Sequence, residues 1–141
     1  TNNNTMEHQQ LVHNLFRVVL QQLKDIGLMK KDDILEYDLV RIACGSEDSV
    51  NYTESRLRFL IDWDPASLTR PNKNSRDLPL HNTVGNIHMF QSLFKAGIMY
   101  FPKKKGMCLL FTKDVFDRAP FKLACDELGR DEVVKVVENT I

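Results

Sequence analysis

Arg76 to Ile98 reads RDLPLHNTVGNIHMFQSLFKAGI, and the way this stretch folds decides the architecture of the chain. Pro79 heads a short mixed segment, Gly85 interrupts it, and a second segment then carries Ile87, Phe90, Leu93 and Phe94 at i, i+3, i+6 and i+7. That spacing places four large apolar side chains on one helical face. Pro79 suits the first turn of a helix, where its missing N–H costs nothing. Gly97 stands where a left-handed C-cap would close the second helix. The stretch therefore predicts helix, tight turn, helix.

The same arrangement recurs on both sides. LVRIAC (39–44), PLHNTV (79–84) and PFKLAC (120–125) align at separations of 40 and 41 residues, and each is soon followed by a glycine: Gly45, Gly85 and Gly129. A fixed period of this size is the mark of a repeat architecture. Pro120 repeats the role of Pro79. A second helical stripe follows each segment, with Leu57, Leu60 and Ile61 in the first unit and Val133, Val134, Val137 and Ile141 in the last. Asp131 and Glu132 fall in the first turn of that last helix, where its dipole favours acids.

Upstream, Val12, Phe16, Val19, Leu23 and Ile26 form a longer stripe, widened by Leu11, Leu15 and Leu20. It predicts a helix over 6–29 that caps the first unit, preceded by a disordered polar lead at 1–5. The expected fold is all-α: a capping helix, then about three helix-turn-helix units over 36–75, 76–116 and 117–141.

RDLPLHNTVGNIHMFQSLFKAGI resembles an ankyrin repeat. Pro79, Leu80 and His81 match its P-L-H, and Lys95-Ala96-Gly97 resembles the end of its outer helix. The last unit matches with Pro120, Leu123, Ala124 and Gly129, and the resemblance spans residues 36–141. Leu78 and Ala119 replace the family's threonine, His81 becomes Lys122 one unit later, and the period exceeds the usual repeat of about 33 residues. The resemblance implies a solenoid that recognises other proteins through its finger loops and inner-helix face, without catalysis.

Composition fits that expectation. Nineteen basic residues balance nineteen acidic ones, so no global field recruits polyanions. No apolar run is long enough to span a bilayer. Cys44, Cys108 and Cys125 lack CxxC spacing, which favours reduced thiols and an intracellular location, cytoplasmic or nuclear. The chain begins at Thr1 rather than Met and is expected to be a segment of something longer. There is no glycine-rich phosphate loop, no HExxH and no G-x-S-x-G. His8, His13, His81 and His88 do not share zinc spacing with the cysteines. No catalytic residue, metal or cofactor is expected, and His81, Cys44 and Cys125 read as structural.

The basic excess is local. Lys95 to Lys113 holds five lysines and no acid, and three of them lie in YFPKKKGMCLLF (100–111). IMYF (98–101) and MCLLF (107–111) read as strands, joined by a five-residue loop with a terminal glycine. This predicts an elongated hairpin finger with Lys103, Lys104 and Lys105 at its tip and Tyr100, Phe101 and Met107 as apolar anchors for an acidic protein partner. Two alternatives stand beside it. The tip at 102–106 could bind nucleic acid or anionic lipid, or the chain could be a structural spacer in a larger protein. A monomer is expected.

Overall fold

The computed structural model describes the backbone of residues 2–45 and 50–141 and the side chains of residues 5–45 and 54–141. Among them the chain is all-α, with no strand. Eight helices and two 3₁₀ turns follow in order: α1 (Asn2–Asp25), α2 (Lys31–Glu36), α3 (Leu39–Cys44), α4 (Val50–Trp63), η1 (Pro65–Thr69), η2 (Pro79–Thr83), α5 (Ile87–Tyr100), α6 (Lys104–Cys108), α7 (Pro120–Leu128) and α8 (Arg130–Thr140).

The three in-phase segments each open a short helical element at the expected residue: Leu39, Pro79 and Pro120. In each case a longer helix follows. α3, η2 and α7 pack one against the next. So do α4, α5 and α8, and α3 with α4, η2 with α5 and α7 with α8 tie the two courses together. The core lies between them. Leu57 and Ile61 of α4, Phe90, Leu93 and Phe94 of α5 and Val133 of α8 are fully enclosed, and Leu78, Leu80 and Ala124 close the other side. Pro79, Leu80 and Ala124 are buried, whereas Leu123 is half-buried. In α8 the buried residues are Val133 and Val136, while Ile141, expected in the stripe, is exposed.

Three expectations are corrected. The hairpin finger does not form. IMY continues α5, because Phe94, Gly97, Ile98 and Phe101 extend its apolar face at i, i+3, i+4 and i+7. Pro102 then disfavours helix at the residue before it, and KKGMC makes the short helix α6. Gly97 is accordingly not a C-cap but a buried residue inside α5.

The polar lead is not disordered along its length, since α1 begins at Asn2. Thr1 lies outside the described residues. No Pro or Gly in this lead breaks a helix propagated from the stripe below it.

The stripe of α1 is only partly docked. Leu20 and Leu23 are half-buried, while Leu11, Val12, Leu15, Phe16, Val19 and Ile26 are exposed. The side of α4 that meets α1 is largely polar, and the contacts reflect it. Arg17 donates to Ser55 Oγ at 3.1 Å, Lys24 Nζ lies 4.8 Å from the centre of the Trp63 ring, and Arg56 covers the Phe16 ring at 4.5 Å. These polar and cation–π contacts meet the helix on the side where Leu20 and Leu23 are half-buried.

Candidate functional site

The turn that carries the lysines is built by two close approaches. α6 lies across the end of α5, with Gly106 against the carbonyl oxygens of Gly97 and Phe101. Leu109 and Leu110 then enter the core, and the Phe121 N–H donates to the Leu110 carbonyl at 3.0 Å, which fixes the segment beside α7. The reversal falls on Lys103, whose φ of 67° and ψ of −137° belong to a region that favours glycine.

The expected contact residues divide accordingly. Lys103, Lys104 and Lys105 are all exposed. Tyr100, Phe101 and Met107 are half-buried and pack against the core, so they are not free anchors. The Tyr100 hydroxyl donates to Asp62 Oδ1, and this bond, with lesser help from burial and the Asp62 charge, raises the phenol's pKa. Lys105 Nζ sits 4.6 Å over the Phe101 ring. Lys103 and Lys104 have no carboxylate partner among the described residues. Met99 and Phe111, close to the turn in sequence, are left largely in solvent, with the Phe111 ring 5.7 Å from that of Phe121.

A second cluster joins the loops that precede η2 and α7. His81 is buried and both ring nitrogens are used: Nδ1 accepts the Leu78 N–H at 2.9 Å, and Nε2 donates to the Arg118 carbonyl at 2.9 Å. Those partners set the tautomer. Asp114 Oδ1 accepts the N–H groups of Phe116 and Arg118 at 2.9 Å each, and Oδ2 takes the Arg118 guanidinium, also at 2.9 Å. Burial acts to raise the Asp114 pKa. The hydrogen bonds from the Arg118 backbone and side chain and from the Phe116 N–H outweigh it and hold the carboxyl down at about 2. The Val115 N–H donates to the Ser75 carbonyl at 3.0 Å, so the two loops run side by side.

Asp77, His81 and Asp114 bring three potential ligand atoms within 4.8 Å of one another. His81 has no lone pair left for a metal, and Asp114 is saturated by donors. The cluster is a clamp between loops. Its partners were not legible in advance, although the order Asp114-x-x-x-Arg118 before Ala119-Pro120 is a local sign of a carboxylate-centred turn.

Burial acts on two of the thiols. Cys44 is buried, and burial followed by the nearby Asp38 charge pushes its thiol up to about 12. Burial also raises Cys125. A nucleophilic thiol needs the opposite shift. Asp64, fully enclosed, pairs with Arg70. An apolar groove of about 250 Å³ lies among α1, α3 and α4, lined by Phe16, Leu20, Ile42 and Leu60 with others. No helix is long and apolar enough to cross a membrane among the described residues.

No family model, no curated protein and no solved structure matches the chain.

Proposed function

We propose that the chain is a non-catalytic, ankyrin-like protein-recognition module that engages an acidic partner through the lysine-bearing turn at 103–105. The observation that carries this is the pairing pattern of its cations. Arg41, Arg58, Arg70, Lys113, Arg118 and Lys122 each meet a carboxylate. Lys31, Lys73, Lys95 and Lys135 are exposed without a carboxylate partner among the described residues, but only at 103–105 do three exposed cations stand in a row, two of them, Lys103 and Lys104, without such a partner. In a chain of zero net charge, three adjacent cations at one turn form a local field without a local counter-charge. Met99 and Phe111 replace Tyr100 and Phe101 as the exposed apolar contacts.

The two helical courses support the ankyrin-like part of the reading. So does the hydrogen bond from His81 to Arg118, which links one unit to the next. The bonded loops at Ser75 and Val115 take the place of the finger loops. The engaged histidine and the raised thiol pKa values support a non-catalytic role.

The test compares the intact chain with a Lys103→Gln, Lys104→Gln, Lys105→Gln variant for retention of protein partners at low and high salt. A partner retained by the first, lost by the second and released by salt supports the reading. Equal retention removes the lysines from the contact surface. A labelled oligonucleotide and an anionic vesicle run in parallel. Three phosphate contacts would give a log-affinity salt slope of only about −3, and tight binding of either would replace the protein partner with a polyanion.

A further inference from the structure

Helix α1 carries more apolar surface than its docking uses. Leu11, Val12, Leu15, Val18 and Val19 are each between 45% and 57% exposed, on a helix whose opposite side, with His13, Leu20 and Lys24, faces the body. At 3.6 residues per turn the five exposed residues fall within an arc of about 120°. No charged residue interrupts that arc from His8 to Gln22. An apolar patch of this size is among the largest that monomers expose, and such patches are often contact sites.

We propose that this face pairs two copies of the chain, with their α1 helices antiparallel about a two-fold axis at Leu15. The observation is the order of the residues. Leu11 and Val19 lie four positions before and after Leu15, and Val12 and Val18 lie three before and three after. The spacing of the stripe, though not the residue at each place, is the same in both directions. A two-fold interface is self-complementary, and about an axis at Leu15 this spacing sets an apolar side chain opposite an apolar side chain at every level. Leu15 then packs on Leu15 of the second copy, Leu11 on Val19, and Val12 on Val18. His8 meets Gln22 at each end, so no like charges are pressed together.

The area reaches the lower limit. The five side chains expose on the order of 450 Å² per copy, and with the exposed His8 and Gln22 at the ends a pair covers about 1,000 Å², the least that a specific interface buries. A lipid surface fits less well. The polar side of α1 holds Gln10, Asn14 and Gln21, and its two cations, Arg17 and Lys24, are balanced by Glu7 and Asp25. Membrane-lying helices carry a cationic polar face. The pairing is independent of the lysine turn.

Sedimentation velocity from about 5 to 300 µM, a range that brackets a micromolar dissociation constant, tests the proposal with the whole chain. The chain should show a reversible monomer–dimer equilibrium. Leu15→Glu and Leu15→Lys should each weaken it at least tenfold with far-UV circular dichroism unchanged, since the side chain is half in solvent. An equimolar mixture of the two should restore association, because residue 15 faces itself across the axis. Val12→Glu mixed with Val18→Lys supplies a second complementing pair. A chain that stays monomeric throughout overturns the proposal, as does a Leu15→Glu variant that dimerises like the parent. Failure of the Val12→Glu and Val18→Lys mixture to restore the dimer overturns the antiparallel geometry, whatever the Leu15 mixture does, because a parallel pair would be rescued by the Leu15 mixture alone.

Discussion

Gly106 sits directly on Gly97: a Cβ built on Gly106 would lie 2.9 Å from the Gly97 carbonyl oxygen and 2.3 Å from that of Phe101. Both are backbone atoms that cannot rotate aside, and the Gly97 oxygen also accepts the Phe101 N–H at the end of α5. A Cβ on Gly97 would instead meet Leu109 Cδ1 at 2.6 Å, the far end of a side chain that can rotate. Gly106→Ala should therefore cost about 3 kcal/mol, at the upper end of overpacking penalties. Gly97→Ala should stay within about 1 kcal/mol of the parent, because better helix propensity offsets the shift of Leu109. Urea denaturation of the two variants checks the order. Equal losses would mean that α6 does not lie across α5.

This contact also shows where the sequence could and could not be read. Leu39, Pro79 and Pro120 begin short helical elements as their spacing foretold, because proline chemistry and period are local. The stripes of α4 and α5 were legible for the same reason. Residues 98–111 were misread because a short apolar run fits strand and helix alike. Gly106 looked like a hairpin glycine, but its purpose is to let two backbones touch, and the partner backbone is invisible in one dimension. The stripe of α1 was seen, yet a stripe does not say which part of itself meets the body. The Asp114 clamp needed two loops brought together from separate units.

Lys103 offers a test of strain within the proposed contact surface. Its φ of 67° with ψ of −137° is a conformation that only glycine adopts freely. Lys103→Gly should stabilise the chain by about 1 kcal/mol if strain relief outweighs the entropy of the added glycine. That corresponds to a rise of about 3 °C in Tm for a domain of this size. Lys103→Ala removes the charge and keeps the strain, so it should leave Tm within about 1 °C. A gain from alanine equal to that from glycine would identify charge repulsion among the lysines, not backbone strain, as the cause.

Asp114 makes stability depend on acid. Its folded pKa of about 2 lies below the ordinary carboxylate value, so the folded state holds its charge more strongly than the unfolded chain does. The resulting stability is fully present above about pH 4 and is lost as pH falls toward 2. Asp114→Asn should be less stable at pH 7, and it should show a flatter decline over that window. Parallel denaturant titrations at pH 7, 4 and 3 measure both effects. A variant with the same acid slope as the parent would place the sensitivity on other carboxylates.

His81 joins its own turn to the next unit, and two variants separate the two bonds. His81→Ala leaves the Leu78 N–H and the Arg118 carbonyl without their partner in a buried place, at about 1–3 kcal/mol for each group. The expected loss is about 4 kcal/mol once the vacated ring volume is included. His81→Asn keeps a short acceptor for the Leu78 N–H but cannot span to Arg118, so it should recover roughly half of that loss. Amide hydrogen exchange locates the remainder. If the bond to Arg118 couples the units, His81→Asn should speed exchange in the loop at 112–119 and in α7 while η2 stays protected. Faster exchange confined to η2 would show instead that the histidine serves only its own turn.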